Sequence, residues 1–110
     1  MAKESLPDAA AQALAKLGRD IRAARVRREI TAGELAERTF TSRLTISRLE
    51  NGHPGVSLGV LAHVLWVLEL EDNLGALADP GNDRLGTLLA VEKLPRYARK
   101  KAGDDKLYDI

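Results

Sequence analysis

Arg43, Leu44, Ser47 and Arg48 follow one another at steps of one, three and one, a spacing that gathers four side chains on one side of a helix. Their types suit sideways contact with stacked bases. A guanidinium at 43 or 48 can donate two parallel hydrogen bonds to O6 and N7 of a guanine, worth about 1–3 kcal/mol of discrimination against the wrong base. Leu44 offers an apolar surface to a thymine methyl, and the Ser47 hydroxyl can donate or accept. Other chemistry is poorly served. His53 and His63 lie ten apart in a chain without cysteine, and no third ligand stands in register, so neither a metal nor a cofactor is expected. No Ser-His-acid pattern is signalled, and the spacing of Gly33, Gly52 and Gly55 matches no phosphate loop. Catalysis is not expected.

The four side chains need a short, firmly held rod. Ser42 caps a helix from Arg43 to about Asn51, Ile46 and Leu49 turn inward from it, and Gly52 followed by Pro54 ends it. Upstream, Thr31-Ala32-Gly33-Glu34 has the form of a capping box and opens a helix that stops near Thr39, with Leu35 and Ala36 facing inward. Two short capped helices joined by a turn of three to four residues form the geometry in which the first braces on the phosphate backbone and the second lies in the major groove of a duplex. The caps Thr31 and Ser42 set free N–H groups toward phosphate oxygens.

The remaining elements read as helices too. No stretch alternates with period two for more than a few residues, so the fold class is all-α. Helix one is expected from Asp8, its N-cap, to about Arg28, with Leu14, Leu17, Ile21 and Ala24 as its apolar stripe. Arg22 and Arg25 lie on another face and are candidates for phosphate contact. Ser57 caps a fourth helix reaching about Leu68, whose apolar residues wrap nearly the whole circumference with His63 as the one ionisable group. Such a helix needs cover on more than one side, so a twofold dimer is expected over Val60, Val64, Trp66 and Val67. A short helix near Asn73–Ala78, a turn at Asp79-Pro80-Gly81-Asn82 and a helix from Asp83 to about Leu94, stopped by Pro95, complete the chain. The organisation expected is an arm at 1–8, the helix-turn-helix domain at 9–70, a helical extension at 71–94 serving a dimer or partner, and a flexible tail at 95–110.

The charge is segregated. Residues 16–48 hold nine Lys or Arg against four Asp or Glu, a net of +5, and residues 69–92 hold one Arg against six acids, a net of −5. A phosphate-attracting region therefore adjoins one that repels phosphate, although the whole chain of 110 residues carries only +1. No run of 18 apolar residues suggests a membrane span, and MAKESLPDAAAQALA lacks the basic start and apolar core of a secretion signal. A cytoplasmic, nucleoid-associated protein is expected.

The run Thr31 to Gly52, TAGELAERTFTSRLTISRLENG, resembles the helix-turn-helix core of the lambda-repressor-like (XRE) family, and SLGVLAHVLWVLEL looks like that family's fourth helix. The resemblance implies a five-helix DNA-binding domain. It places base reading on Arg43, Leu44, Ser47 and Arg48, with Ser42 at the helix start, and phosphate contact on Thr31, Ala32, Thr45 and Asn51. Two positions depart from the pattern. Ala32 stands where glutamine is frequent, so only its backbone can hold a phosphate. Phe40 stands where a glycine normally supplies a positive φ, which implies a strained or altered turn. Beyond the core, PGVSLGVL, LWVLEL, LADPGNDRLG and the basic tail resemble HipB-type antitoxins, repressors of their own operons whose neighbours are HipA-type serine/threonine kinases. That resemblance implies a palindromic operator, a homodimer and a HipA-like kinase toxin as partner.

Overall fold

The computed structural model describes residues 5–100, with side chains as far as 93. Among them are helices and turns and no strand: α1 (Asp8–Arg27), α2 (Ala32–Arg38), α3 (Arg43–Glu50), α4 (Leu58–Val67), α5 (Glu71–Gly75), a 3-10 turn at Pro80–Asn82 and α6 (Arg84–Lys100). The chain divides into two compact units, Met1–Leu74 and Gly75–Ile110.

Three helices of the first unit start on hydroxyl caps. The side-chain oxygens of Thr31, Ser42 and Ser57 accept from the N–H groups of Glu34, Thr45 and Val60 at 3.0–3.1 Å, closing donors that a helix start leaves open. α1 begins differently from the expectation. Asp8 is its first helical residue, not its cap. Pro7 holds the cap position with no side-chain bond, and Asp8 sets its negative charge against the helix N-terminus.

Helices α1 to α4 all stop the same way. In each, the residue after the C-cap takes a left-handed φ, and two N–H groups turn back onto the last turn: Glu29 and Ile30 onto Val26 and Arg25, Phe40 and Thr41 onto Glu37 and Ala36, Gly52 and His53 onto Leu49 and Arg48, Glu69 and Leu70 onto Trp66 and Leu65. This double closure needs a positive φ, and only α3 supplies a glycine for it, Gly52 at φ 77°. Glu29, Phe40 and Glu69 adopt φ 55°, 53° and 62° at a cost of about 1–2 kcal/mol each.

The core of the first unit takes one stripe from each of its long helices. Ile21 and Ala24 of α1, Leu35 and Ala36 of α2, Ile46 and Leu49 of α3, and Val64, Leu65 and Leu68 in and after α4 are buried together. Val56, Leu61, Leu70 and Leu74 close its margins. In the second unit Asp79 and Asp83 cap the 3-10 turn and α6 by accepting from the N–H groups of Gly81 and Gly86. α6 does not stop before Pro95 but runs to Lys100. Pro95 removes one N–H from the ladder, which is a cost to a helix and not a barrier when turns on both sides keep their bonds. The expected flexible tail is thus helical over 95–100, and residues 101–110 lie outside the described residues.

Candidate nucleic-acid interface

α3 is held on its inner side by apolar burial and at its C-terminal end by α1. Ile46 is fully buried and Leu49 nearly so. Gly18 of α1 lies directly against the end of α3, where any Cβ would overlap the Glu50 carbonyl, and a Cβ on Gly52 would stand 2.7 Å from the Ala15 Cα. This backbone-to-backbone approach brings Arg25 of α1 onto Glu50. Arg25 Nε and Nη2 donate to the two carboxylate oxygens at 2.7 and 2.9 Å, and Nη1 donates to the Ile30 carbonyl at 2.9 Å. Both side chains are about nine-tenths buried, at 10% and 8% exposed. The Glu50 hydrogen bonds raise the Arg25 guanidinium above its already high value, burial pulls it down, and the Glu50 charge adds to the rise. A raised value on a cation contributes stability at every pH below it, so mild base does not take the charge from the guanidinium.

This geometry corrects one expectation. Arg25 is not a phosphate contact: its three donor-bearing nitrogens are engaged inside the fold. The neighbouring Arg22 remains exposed at 67%, with Nε 4.0 Å from Glu50. A pair that long and that exposed contributes little to stability and leaves the guanidinium available.

The opposite side of α3 is open. Arg43, Leu44, Ser47 and Arg48 are all exposed, Leu44 by 57%. Arg43 folds back over α2, its Nε 3.2 Å from where a Cβ on Gly33 would stand. Of the residues expected near phosphate, Thr31, Ser42 and Asn51 are exposed, and Ala32 and Thr45 half-buried. Thr45 Oγ1 lies 3.0 Å from Ser42 Oγ, and Asn51 Nδ2 donates to Ser47 Oγ at 3.4 Å, so the outer surface of α3 carries its own polar network.

Sequence reasoning gave three residues beside α3 no part in the interface. Thr41, His53 and Ser57 line a surface hollow of about 260 Å³ together with Thr45 and Arg48. Gly55 N–H donates to His53 Nδ1 at 2.9 Å, which makes Nδ1 the acceptor and leaves Nε2 as the ring's other polar atom. The hollow unites residues from the turn, α3 and the α3–α4 loop. No single stretch of sequence carries that pattern. Among the described residues no group of three His, Asp or Glu side chains is placed to hold a metal ion, and no helix is long and apolar enough to cross a membrane.

The capping box of α2 is complete. Thr31 N–H donates to Glu34 Oε1 at 2.8 Å while Glu34 N–H donates to Thr31 Oγ1 at 3.0 Å. The Thr31 backbone bond holds the Glu34 carboxyl below its usual value of 4.5. A lowered value on a carboxylate means stability that is present at neutral pH and lost as pH falls through that lowered value. Wild type and Glu34→Gln are therefore expected to differ in thermal midpoint at about pH 6 and to draw together as acid protonates the carboxylate. A difference that stays constant into acid would show that the ionised carboxylate does not act in the box.

The dimer residues expected on α4 separate. Val64 is fully buried in its own subunit's core, which removes it from any interface. Val60 and Val67 pack half-buried against the same core. Trp66 alone of the four is exposed, by 62%. The His63 ring lies 5.9 Å from the Trp66 ring and 5.9 Å from the Phe40 ring, both pairs tilted. Phe40, at the left-handed position between α2 and α3, is 90% exposed.

Two short capped helices, a tight turn with one left-handed residue, and a second helix anchored on its inner face with polar side chains outward define a DNA-binding helix-turn-helix protein of all-α, lambda-repressor-like fold. The chain belongs to the helix-turn-helix domain family, whose model matches residues 16–77. No curated protein and no solved structure matches the chain.

Proposed function

We propose that the protein is a sequence-specific transcriptional repressor that binds a palindromic operator as a homodimer and acts in the cytoplasm on nucleoid DNA. The observation that carries this reading is the two-faced α3. Ile46 and Leu49 are buried beneath it, while Arg43, Leu44, Ser47 and Arg48 stand outward together. These four read bases in the major groove. Thr31, Ala32, Ser42, Thr45, Asn51 and Arg22 hold phosphates, and the hydroxyl-lined hollow beside Arg48 receives one more. Half-site centres lie about 34–36 Å apart, or a multiple of that.

The test is binding of the full-length protein to duplexes drawn from the region upstream of its own gene, against random duplex, over a series of salt concentrations. Affinity should fall with a log–log slope of about −0.9 for each phosphate neutralised. One upstream duplex should bind about a thousandfold or more tighter than random sequence. Equal affinity for all duplexes at every salt concentration rejects sequence-specific regulation.

A second reading makes the chain the antitoxin of a HipA-like kinase. The second unit favours it: Leu85, Leu88 and Val91 of α6 are more than 60% exposed. Co-purification with a HipA-like kinase encoded next to this gene tests it, and no association at micromolar concentrations rejects it.

A further inference from the structure

We infer that Phe40, His63 and Trp66 form a self-complementary docking face whose occupant is a second copy of this chain. The inference rests on the homodimer reading above and names its surface. It starts from Phe40, which is unfavourable twice over. Its backbone holds a left-handed φ of 53°, where glycine fits without strain, and its ring is 90% exposed. Within the subunit the ring gains a tilted contact with His63 and little more. A strained residue that the fold does not need points to a use outside the fold.

The surface around it suits another copy. α4 carries two seams. Leu61, Val64, Leu65 and Leu68 face the core, and Gly59, Ala62, His63 and Trp66, at the spacing i, i+3, i+4, i+7, form the other. Gly59 and Ala62 are small enough to let a second helix approach closely. Residues 58–67 contain no Asp, Glu, Lys or Arg, so two such helices can meet across a twofold axis without like charges facing each other. Beside Trp66 lies an open hollow of about 460 Å³, lined also by Val67, Arg38, Glu69 and Glu71. Knob and hollow thus occupy one surface: the Phe40 ring of each copy enters the Trp66 hollow of the other, and one twofold axis satisfies both. The hollow carries Arg38 and two glutamates, so its rim offers both signs of charge to an identical rim, as a self-complementary contact requires.

Phe40→Gly separates this role from folding. Sedimentation equilibrium of the full chain should show wild type self-associating, with the dimer Kd about tenfold or more higher in Phe40→Gly and in Trp66→Ala. The thermal midpoint of Phe40→Gly, measured where both proteins are monomeric, should rise as the left-handed strain is relieved. Trp66 is the only tryptophan, so its quenching by acrylamide should fall as wild type associates. Ala62→Cys, in a chain that has no other cysteine, should form a disulfide-linked dimer on mild oxidation. If wild type dimerises and both Phe40→Gly and Trp66→Ala dimerise as tightly, this face is not the interface and the homodimer reading survives. If wild type stays monomeric at about 100 µM, alone and on operator duplex, both fail. Quenching that falls only on adding duplex assigns the face to DNA, and a lowered midpoint in Phe40→Gly shows a structural aromatic. Either result overturns the inference.

Discussion

Arg25→Ala is expected to lower the stability of the first unit by about 3–5 kcal/mol, because it strands the Glu50 carboxylate inside the fold without its partner. A small domain has about 5–15 kcal/mol in all, so the loss leaves a marginal protein. The alanine also unpairs the Ile30 carbonyl, which accepts from the third nitrogen of Arg25 in the turn that leads into α2. Replacing both partners with apolar residues of similar size, Arg25→Met with Glu50→Leu, should recover most of the loss, since no charge is then left buried. Urea melts at neutral pH measure both variants. A loss below about 1 kcal/mol for Arg25→Ala would mean that water reaches the pair and that it acts like a surface ion pair. DNA binding by Arg25→Ala should weaken alike for all sequences, through a loosened α3 and not through a lost phosphate contact.

Arg43→Ala should behave in the opposite way. The side chain is exposed, so stability changes by no more than about 0.5 kcal/mol. Affinity for the operator should fall by about 1–3 kcal/mol, roughly 5- to 150-fold, and preference should relax at one base pair. Arg22→Ala provides the contrast. It should weaken operator and random duplex by the same factor and reduce the salt slope by about one. Titrations of each variant against operators altered one base pair at a time distinguish these patterns. If Arg43→Ala and Arg22→Ala both lose affinity uniformly across sequences, base reading does not reside at position 43.

Helix starts were legible in the sequence because a hydroxyl or carboxyl cap acts locally. Thr31, Ser42 and Ser57 each bond to an N–H three residues on, and that reach lies within any short window. The ends near Arg28, Thr39 and Leu68 were placed correctly, but only Gly52 carried a residue type suited to the left-handed stop. Glu29, Phe40 and Glu69 occupy the same left-handed position with no sequence signal, since these residue types normally avoid it. The strained alternative for Phe40 proved to be the one adopted. The inward and outward faces of α3 were also readable, because Ile46 and Leu49 sit three apart with arginines and serine around them.

Arg25 was misread because sequence shows charge and not its partner. Glu50 is 25 positions away, and only the close approach of Gly18 to the end of α3 brings them together. Val64 was misassigned because a helix apolar on all sides does not show from its sequence which stripe the subunit covers itself. The hollow joining Thr41, His53 and Ser57 was out of reach for a similar reason, since it exists only once three separate segments have converged.

The left-handed stops of α1, α2 and α4 bear on how long the protein lasts in a cell. Each non-glycine stop withholds about 1 kcal/mol that glycine would return, which raises the population of chain opened at that helix end by about fivefold. Proteases that cut an opened form follow its population, so these helix ends weigh on the rate of turnover. Glycine at 29 and 69, far in sequence from the base-reading residues, should lengthen the half-life while leaving the choice of operator unchanged.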